Sequence, residues 1–456
     1  MRRAPYRELV ESRHPLYRSR SPFWRLAWMS YRGGPEYLAA PNLFSHRLEH
    51  ADDHRRRMAR SYYLNYCRPV VDTYASYLFK TNPTVLPDEP IRNLVENADG
   101  RGHHLFAVMK QAFTLSAVYG QVIVGADRPR SVVKPATRAE ELALGLSDYF
   151  YLVIPQDFLN WSMSEGGDLS WCLVRQRIRR ATPEDPGGEE GGAETYRLWT
   201  ADFWRDLDGQ GEVVTEGENP YGRVPFVSCR FRESDDAIVG ESLLGSIVHI
   251  NREIFNLSSM LSEILYRQTF SQLVAEGSAH EYGEGGDIGR LGTSSIFLYP
   301  EGRKPPQFIS PDAAQARMLM EQIDNLIDEI YRMACLTRGR AREGTLVSGI
   351  SKAFDFLDTN QALSDAAHGV ERTFVKAIRI AAPEWGGSIQ FPGDFGVTDS
   401  GELLNQVERA SRLPIGPAFK RRLLEKLARS VLSELPPTQR DEVVREIGEA
   451  RLKAEG

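Results

Sequence analysis

Residues 241–270 read ESLLGSIVHINREIFNLSSMLSEILYRQTF. In this stretch Leu243, Ile247, Ile250, Ile254, Leu257, Leu261 and Ile264 alternate spacings of four and three, which draws one apolar seam along a helix. If residues 241–270 are continuous, a rise of ~1.5 Å per residue makes that helix roughly 45 Å long. A helix of this length requires neighbours along its whole course.

The segment that follows, 272–310, is rich in glycine and holds two short β-type runs, Leu273-Val274-Ala275 and Ile296-Phe297-Leu298-Tyr299, with a break at Lys304-Pro305-Pro306. A second apolar seam then recurs through Leu319, Ile323, Leu326, Ile327, Ile330 and Ala334, after Ser310-Pro311-Asp312 in a capping arrangement. The spacing predicts a helix over 312–336, so helix, small β-knob and returning helix form one protruding hairpin. Beyond it lie a polar loop, 337–349 (TRGRAREGTLVSG), and a further helix over 350–382.

Upstream of the seam, the chain to about Gly120 reads as helical, with Val70, Tyr74, Tyr77 and Leu78 at helical spacing before a Thr81-Asn82-Pro83 stop, and a second helix over 109–119. Between 121 and 231 the pattern changes to β-type runs: 122–124, 151–154, 171–174 and 196–199. The insert 183–192 (PEDPGGEEGG) reads as the exposed loop of a β-hairpin. Downstream, 389–391 reads as a strand, and 402–412, 417–433 and 438–453 as charged helices divided by prolines. The fold class is therefore α+β and mostly helical.

The 456 residues are 41% hydrophobic, enough for a large core, and 56 Lys and Arg stand against 62 Asp and Glu, a net charge of -6. That balance argues against tight duplex binding by overall charge. The four cysteines, Cys67, Cys172, Cys229 and Cys335, lie far apart without a C-x-x-C pair, which disfavours a disulfide framework or a cysteine zinc site and fits a reducing cytoplasm. The first twenty residues hold no apolar signal core and no segment is apolar for the ~18 residues a bilayer needs, so a soluble, unprocessed chain without membrane partner is expected.

Among motifs that carry chemistry, His46, His50 and His54 recur every four residues, which on a helix would place three imidazoles on one face. That invites a metal-dependent hydrolase or nuclease reading. Against it, Arg47, Arg55, Arg56 and Arg57 crowd the segment with positive charge, and no D-x-D carboxylate pair accompanies the histidines. The residues favour a solvated or interface-lining helix, and no bound metal or cofactor is expected. No P-loop is present, and Gly240-Glu241-Ser242-Leu243-Leu244-Gly245 misses the nucleophile elbow by one residue. Arg338, Arg340 and Arg342 place three guanidinium groups in a glycine-containing loop, an arrangement that reaches phosphates without reading bases.

Several segments resemble, in their order, the portal protein of tailed double-stranded DNA bacteriophages. They are Arg60-Ser61-Tyr62-Tyr63-Leu64-Asn65-Tyr66 with Val70 to Tyr74 and Tyr77-Leu78-Phe79; Ala117-Val118-Tyr119-Gly120; Ile154 to Trp161; Gly222-Arg223-Val224-Pro225-Phe226-Val227; and Ser348 to Ala353. The resemblance spans residues 50–456. It implies a ring of about twelve subunits at one capsid vertex, with 1–235 and 351–395 as wing, 236–272 and 310–336 as stem helices, 273–309 as clip, 337–350 as tunnel loop and 396–456 as crown.

It further implies a non-enzymatic channel for packaging, retention and ejection of double-stranded DNA, in the virion after assembly in the host cytoplasm. The partners implied are the terminase large subunit, a head–tail adaptor, and the major capsid and scaffolding proteins. Arg338, Arg340 and Arg342 would contact DNA backbone, with Thr345, Leu346 and Val347 packing against neighbouring loops. Arg290, Arg303 and Lys304 would lie in the clip near DNA or the motor, and the 243–264 seam would join stem helices between subunits. The competing readings are the hydrolase built on the histidine segment and a low-order helical minor capsid or interaction protein.

Overall fold

The computed structural model describes residues 5–129, 146–177, 194–268, 272–274, 307–309, 313–336, 349–392, 395, 407–409, 416–431, 443 and 445–446. The chain divides into two units, Met1–Gly393 and Asp394–Gly456. In the first, the helices are α1 (Arg7–Glu11), α2 (Pro15–Arg32), α3 (Gly34–Ala39), α4 (Ala51–Arg60), α5 (Cys67–Leu78), α6 (Arg92–Glu96), α7 (Leu105–Tyr119), α8 (Ile247–Gln268), α9 (Ala313–Met333) and α10 (Gly349–Ala381). In the second, α11 (Pro417–Val431) is amphipathic and carries an Arg421–Glu425 ion pair of 3.5 Å.

The strands are β1 (Thr84–Leu86), β2 (Gln121–Asp127), β3 (Tyr149–Val153), β4 (Phe158–Met163), β5 (Leu169–Arg177), β6 (Glu194–Thr200), β7 (Phe203–Leu207), β8 (Val213–Glu218), β9 (Phe226–Arg230), β10 (Gln272–Val274), β11 (Gln307–Ile309) and β12 (Ser388–Gln390). They form a three-stranded antiparallel sheet in the order β3-β2-β9 and a five-stranded meander β4-β5-β6-β7-β8. Two smaller pairs, β1-β12 and β10-β11, are also antiparallel. The β-type runs between 121 and 231 thus belong to two sheets. β5 and β6 register Arg177 opposite Glu194, so a hairpin does enclose the acidic insert, which itself lies outside the described residues.

The β2 sequence QVIVGAD is buried on both faces because β2 is the central strand of its sheet and both α7 and α10 pack on it. Gly125 belongs there for room: a Cβ would sit 2.7 Å from the Phe226 ring and 2.8 Å from that of Tyr151. Between the sheets, Phe158, Trp161, Trp199 and Phe226 join Ile123, Val153 and Val239 in one core. A second cluster under the meander gathers Val10, Leu159, Leu173, Leu198 and Leu207. Inside it all, Arg197 is held by both oxygens of Asp206, at 2.6 and 2.9 Å, and by Asp127 at 3.1 Å, so this buried guanidinium is fully paired.

The aromatic run at 62–79 becomes α5 and the turn before it. Val70, Tyr74 and Leu78 are buried at the expected helical spacing, and the Tyr74 hydroxyl donates to the carbonyl of Ala334 at 2.7 Å, tying α5 to the end of α9. Among the described residues no helix is long and apolar enough to cross a membrane.

Candidate functional site

The hairpin of two seamed helices is the feature around which the first unit is organised, and its base begins later than the periodicity suggests. Residues 241–246 are not helical. Glu241 bridges Arg232, and Ser242 donates to the carbonyls of Ala117 at 2.9 Å and Val118 at 2.7 Å while Leu243 N–H reaches Ala117 O at 3.0 Å. Those carbonyls are orphans at the C-terminus of α7, and satisfying them diverts this segment from the helix. Gly120 makes the approach possible: its φ is +97°, and a Cβ there would lie 2.5 Å from Gly240 O. α8 therefore spans 22 residues, roughly 33 Å rather than 45 Å.

α8 and α9 pack along each other, and their continuation is closed by β10 and β11, with Leu273 opposite Phe308. The strand at 272–274 lies one residue before the expected run, and β11 was not foreseen because Gln307-Phe308-Ile309 is too short to show alternation. α9 buries Ile323, Ile327 and Ile330, and Ala334 beyond its last residue is buried too. It stops at Met333, three residues short of the expected end, because Cys335 adopts φ 51°, the left-handed conformation that terminates helices.

The first seam is divided in its environment. Leu243, Ile247 and Ile254 are buried inside the chain's own fold, whereas Ile250, Leu257, Leu261 and Ile264 are only half-buried. Toward the end that continues into β10, α8 exposes Leu265 and Tyr266, and the start of α9 exposes Met318 and Met320. The buried part of α8 also carries polar residues that the apolar pattern did not reveal, Asn251, Asn256, Ser258 and Ser259.

These polar residues organise the irregular segments before α5. Asn251 Oδ1 accepts from the Tyr63 hydroxyl at 3.0 Å and from the N–H groups of Tyr66 at 3.0 Å and Cys67 at 3.3 Å; its Nδ2 donates to Leu64 O at 2.8 Å. The N-cap residue of α5, Tyr66, supplies no side-chain cap, so α8 provides one from a distance in sequence. Asn256 does the same for the turn at 42–44, accepting from Phe44 N–H at 2.8 Å and donating to Asn42 O at 3.0 Å. An Asn at i and i+5 within an apolar seam was the available signal.

The histidine segment does not form one helical face. α4 begins at Ala51, His50 is its N-cap and His46 lies in the turn before it, so only His54 is helical, a correction to the four-residue spacing read as a helix. Glu49 folds back onto Arg57, which holds both its oxygens at 2.7 and 2.8 Å and also donates to Phe44 O at 2.7 Å and Ser259 at 3.1 Å. Hydrogen bonding to that guanidinium drops the Glu49 carboxyl from its ordinary 4.5 to about 2. His54 sits 3.3 Å from the same carboxylate. Among the described residues no group of three His, Cys, Asp or Glu side chains is placed to hold a metal.

Burial pushes the thiols of Cys67 and Cys229 up to about 12 and that of Cys172 well above its ordinary value, so all three stay protonated. All four cysteines are free. The remaining sequence-predicted residues, Arg338, Arg340, Arg342, Thr345, Leu346 and Val347 of the loop and Arg290, Arg303 and Lys304 of the clip, lie outside the described residues. Leu336 and Gly349 bracket that loop between the end of α9 and the start of α10.

Three solved structures are similar to the chain over most of its length. They are the neck of an empty GTA particle computed with C6 symmetry, at 12% identity over 78% of this chain and 89% of that chain, TM-score 0.42; the virion of a native gene transfer agent particle, at 11% identity over 81% and 90%, TM-score 0.42; and the neck of a native GTA particle computed with C12 symmetry, at 10% identity over 78% and 89%, TM-score 0.41. No family model matches the chain, and no curated protein matches it. At such low identity and TM-score, the functional assignment rests on the chain's own residues and geometry.

Proposed function

We propose that this chain is the subunit of a portal-type head–tail connector, a ring at one capsid vertex through which double-stranded DNA is packaged, retained and ejected. The observation that carries this reading is the α8–α9 hairpin. Its two long helices pack on each other, run on into the β10-β11 pair, and expose Leu265, Tyr266, Met318 and Met320 at one end. Apolar side chains exposed on both arms of a hairpin are stabilised when adjacent copies cover them, and a head-to-tail contact that closes generates a ring.

The role is mechanical, and no catalytic step or cofactor belongs to it. With about twelve copies a net charge of -6 each gives about -72, so much of the channel wall would repel phosphate while rings of arginine from the loop at 338, 340 and 342 guide it. That combination suits sliding. The terminase large subunit would drive the DNA, and adaptor, scaffolding and major capsid proteins would bind the ring's outer surfaces.

The test is the native mass of the purified chain by light scattering on a sizing column, with negative-stain images of the same peak. A particle near twelve times the 51.5 kDa subunit, imaged as a ring with a central hole, is expected. A chain that stays monomeric or dimeric at every concentration refutes the connector.

A further inference from the structure

α2 stands apart in its charges. Its 18 residues carry Arg18, Arg20, Arg25 and Arg32 and no Lys, Asp or Glu. On several other helices an arginine answers a carboxylate: Arg7 pairs with Glu11, Arg60 with Glu263, Arg68 with Asp72 and Arg332 with Glu329. Among the described residues the four arginines of α2 form no ion pair and donate no side-chain hydrogen bond, and all four are exposed.

Three of them are aligned. Arg18, Arg25 and Arg32 are seven residues apart, so at about 100° per residue they fall within about 40° of one another. Ala27 and Ser30, which are fully buried, lie about 120° to 180° away, on the side where α2 packs against α5, α7 and α8. A rise of ~1.5 Å per residue spaces the three arginines about 10.5 Å apart and spreads them over about 21 Å. Arg20 lies on another flank, in a hollow of about 360 Å³ that it shares with Glu241 and Arg232, and is not part of the stripe.

The acids beside the stripe do not cancel it. At its C-terminal end Arg32 and Arg68 line one hollow with Trp28, Tyr31 and Glu36. Asp72, from α5, is held there by the Tyr31 hydroxyl at 2.8 Å and by Arg68 at 3.3 Å, so Arg68 and Asp72 form a neutral pair. Glu36 forms no ion pair with Arg32, whose guanidinium stands 5.6 Å from the centre of the Trp28 ring. With Glu36 set against the three arginines, the stripe keeps a net +2.

The same face lacks what a protein or a membrane requires of a partner. No large apolar side chain of α2 is exposed: Trp24 and Leu26 are buried, and Leu16, Tyr17, Phe23, Trp28, Met29 and Tyr31 are half-buried. Protein interfaces form around a desolvated apolar centre, and amphipathic helices enter lipid by an apolar face. Unpaired guanidinium groups without such a centre suit a partner that presents charge alone in a repeated array. A phosphodiester backbone does this, with one phosphate per about 3.4 Å of each strand along a duplex. Spread over about 21 Å, the three arginines reach separate phosphates, and each planar guanidinium can hold two oxygens of one.

We propose that the outer face of α2 is a sequence-independent site for nucleic-acid backbone, in which Arg18, Arg25 and Arg32 each contact a phosphate. The site is separate from the arginines at 338, 340 and 342, and it does not require the ring. Three contacts per copy give weak, salt-sensitive binding, in keeping with a chain whose net charge is -6.

The experiment compares the wild-type full chain with a variant carrying Arg18→Gln, Arg25→Gln and Arg32→Gln. All three positions are exposed, so an unchanged thermal midpoint checks folding. Anisotropy of a short labelled DNA duplex, followed from about 50 to 200 mM salt, gives the slope of log K against log salt. Each phosphate contact adds about 0.9 to that slope, so the variant should lose about 2.7 of it. Over the fourfold salt range the wild type should then lose about fortyfold more affinity than the variant. The loop arginines are the same in both chains, so the difference isolates α2.

Arg18→Lys with Arg25→Lys and Arg32→Lys should keep the slope, Arg20→Gln should leave it unchanged, and a duplex of unrelated sequence should bind equally well. An unchanged slope in the glutamine variant, a lost slope in the lysine variant, a fall with Arg20→Gln or a preference for one sequence would overturn the site. So would a wild-type chain that binds no duplex at the lowest salt. None of these results bears on the connector reading, which native mass decides.

Discussion

Replacing Asn251 with Leu, a side chain of similar size, tests whether α8 truly caps α5. Asn251 is fully buried and serves three backbone groups: the N–H groups of Tyr66 and Cys67 and the carbonyl of Leu64. The Tyr63 hydroxyl is not counted, because Ser30 O also lies 3.0 Å away. Each backbone group left buried without a partner costs about 1 to 3 kcal/mol, and the larger apolar side chain recovers part of it, so the net loss is about 4 kcal/mol. For a unit of 393 residues an unfolding entropy of about 2.1 cal/mol/K per residue gives about 0.8 kcal/mol per degree, a drop in Tm of about 5 °C. Differential scanning calorimetry reads it directly. A midpoint within about one degree of wild type would show that these backbone groups find other partners, and the cap argument would fail.

Three further outcomes follow from other sites. Glu49 has its carboxyl held at about 2 by Arg57, below its ordinary 4.5, so its contribution to stability is present above pH about 4.5 and is lost as pH falls through about 2. Glu49→Gln should flatten that part of the stability curve, seen as a Tm less dependent on pH in the acid range, and an unchanged slope would contradict it. Gly120→Ala places a methyl 2.5 Å from Gly240 O at φ +97°, and should cost about 2 to 3 kcal/mol in denaturant titration; a neutral change would mean that the α7 terminus relaxes freely. Removing the charges of Arg338, Arg340 and Arg342 together should leave ring mass unchanged and lower the amount of nuclease-protected DNA per particle. Normal genome filling would remove the proposed role of that loop.

The long seam of α8 was legible because its apolar spacing of three and four persists over many turns, and the same holds for α9. Their ends were not. Residues 241–246 carry the same apolar pattern as the helix, but α7 needs partners for its terminal carbonyls and Ser242 supplies them. The histidine segment shows the opposite failure: a spacing of four suggested one face, yet Glu49 and Arg57 pair across a turn and leave His46 and His50 outside α4. Strands β10 and β11 are three residues each, too short for periodicity, and exist because the helices bring them together.

By itself, the sequence determined the class of structure, the two seamed helices with a β-type insertion between them, and the absence of a P-loop or cysteine metal spacing, since each of these depends on local periodicity or on residues close in the chain. Only the tertiary structure decided which part of the seam is consumed inside the subunit and that Asn251 and Asn256 act as remote caps. Those features depend on groups up to about two hundred residues apart in sequence, such as Arg57 and Ser259, meeting in space. Local propensity carries no record of such meetings, which are selected by burial and by the demand that every buried polar group find a partner.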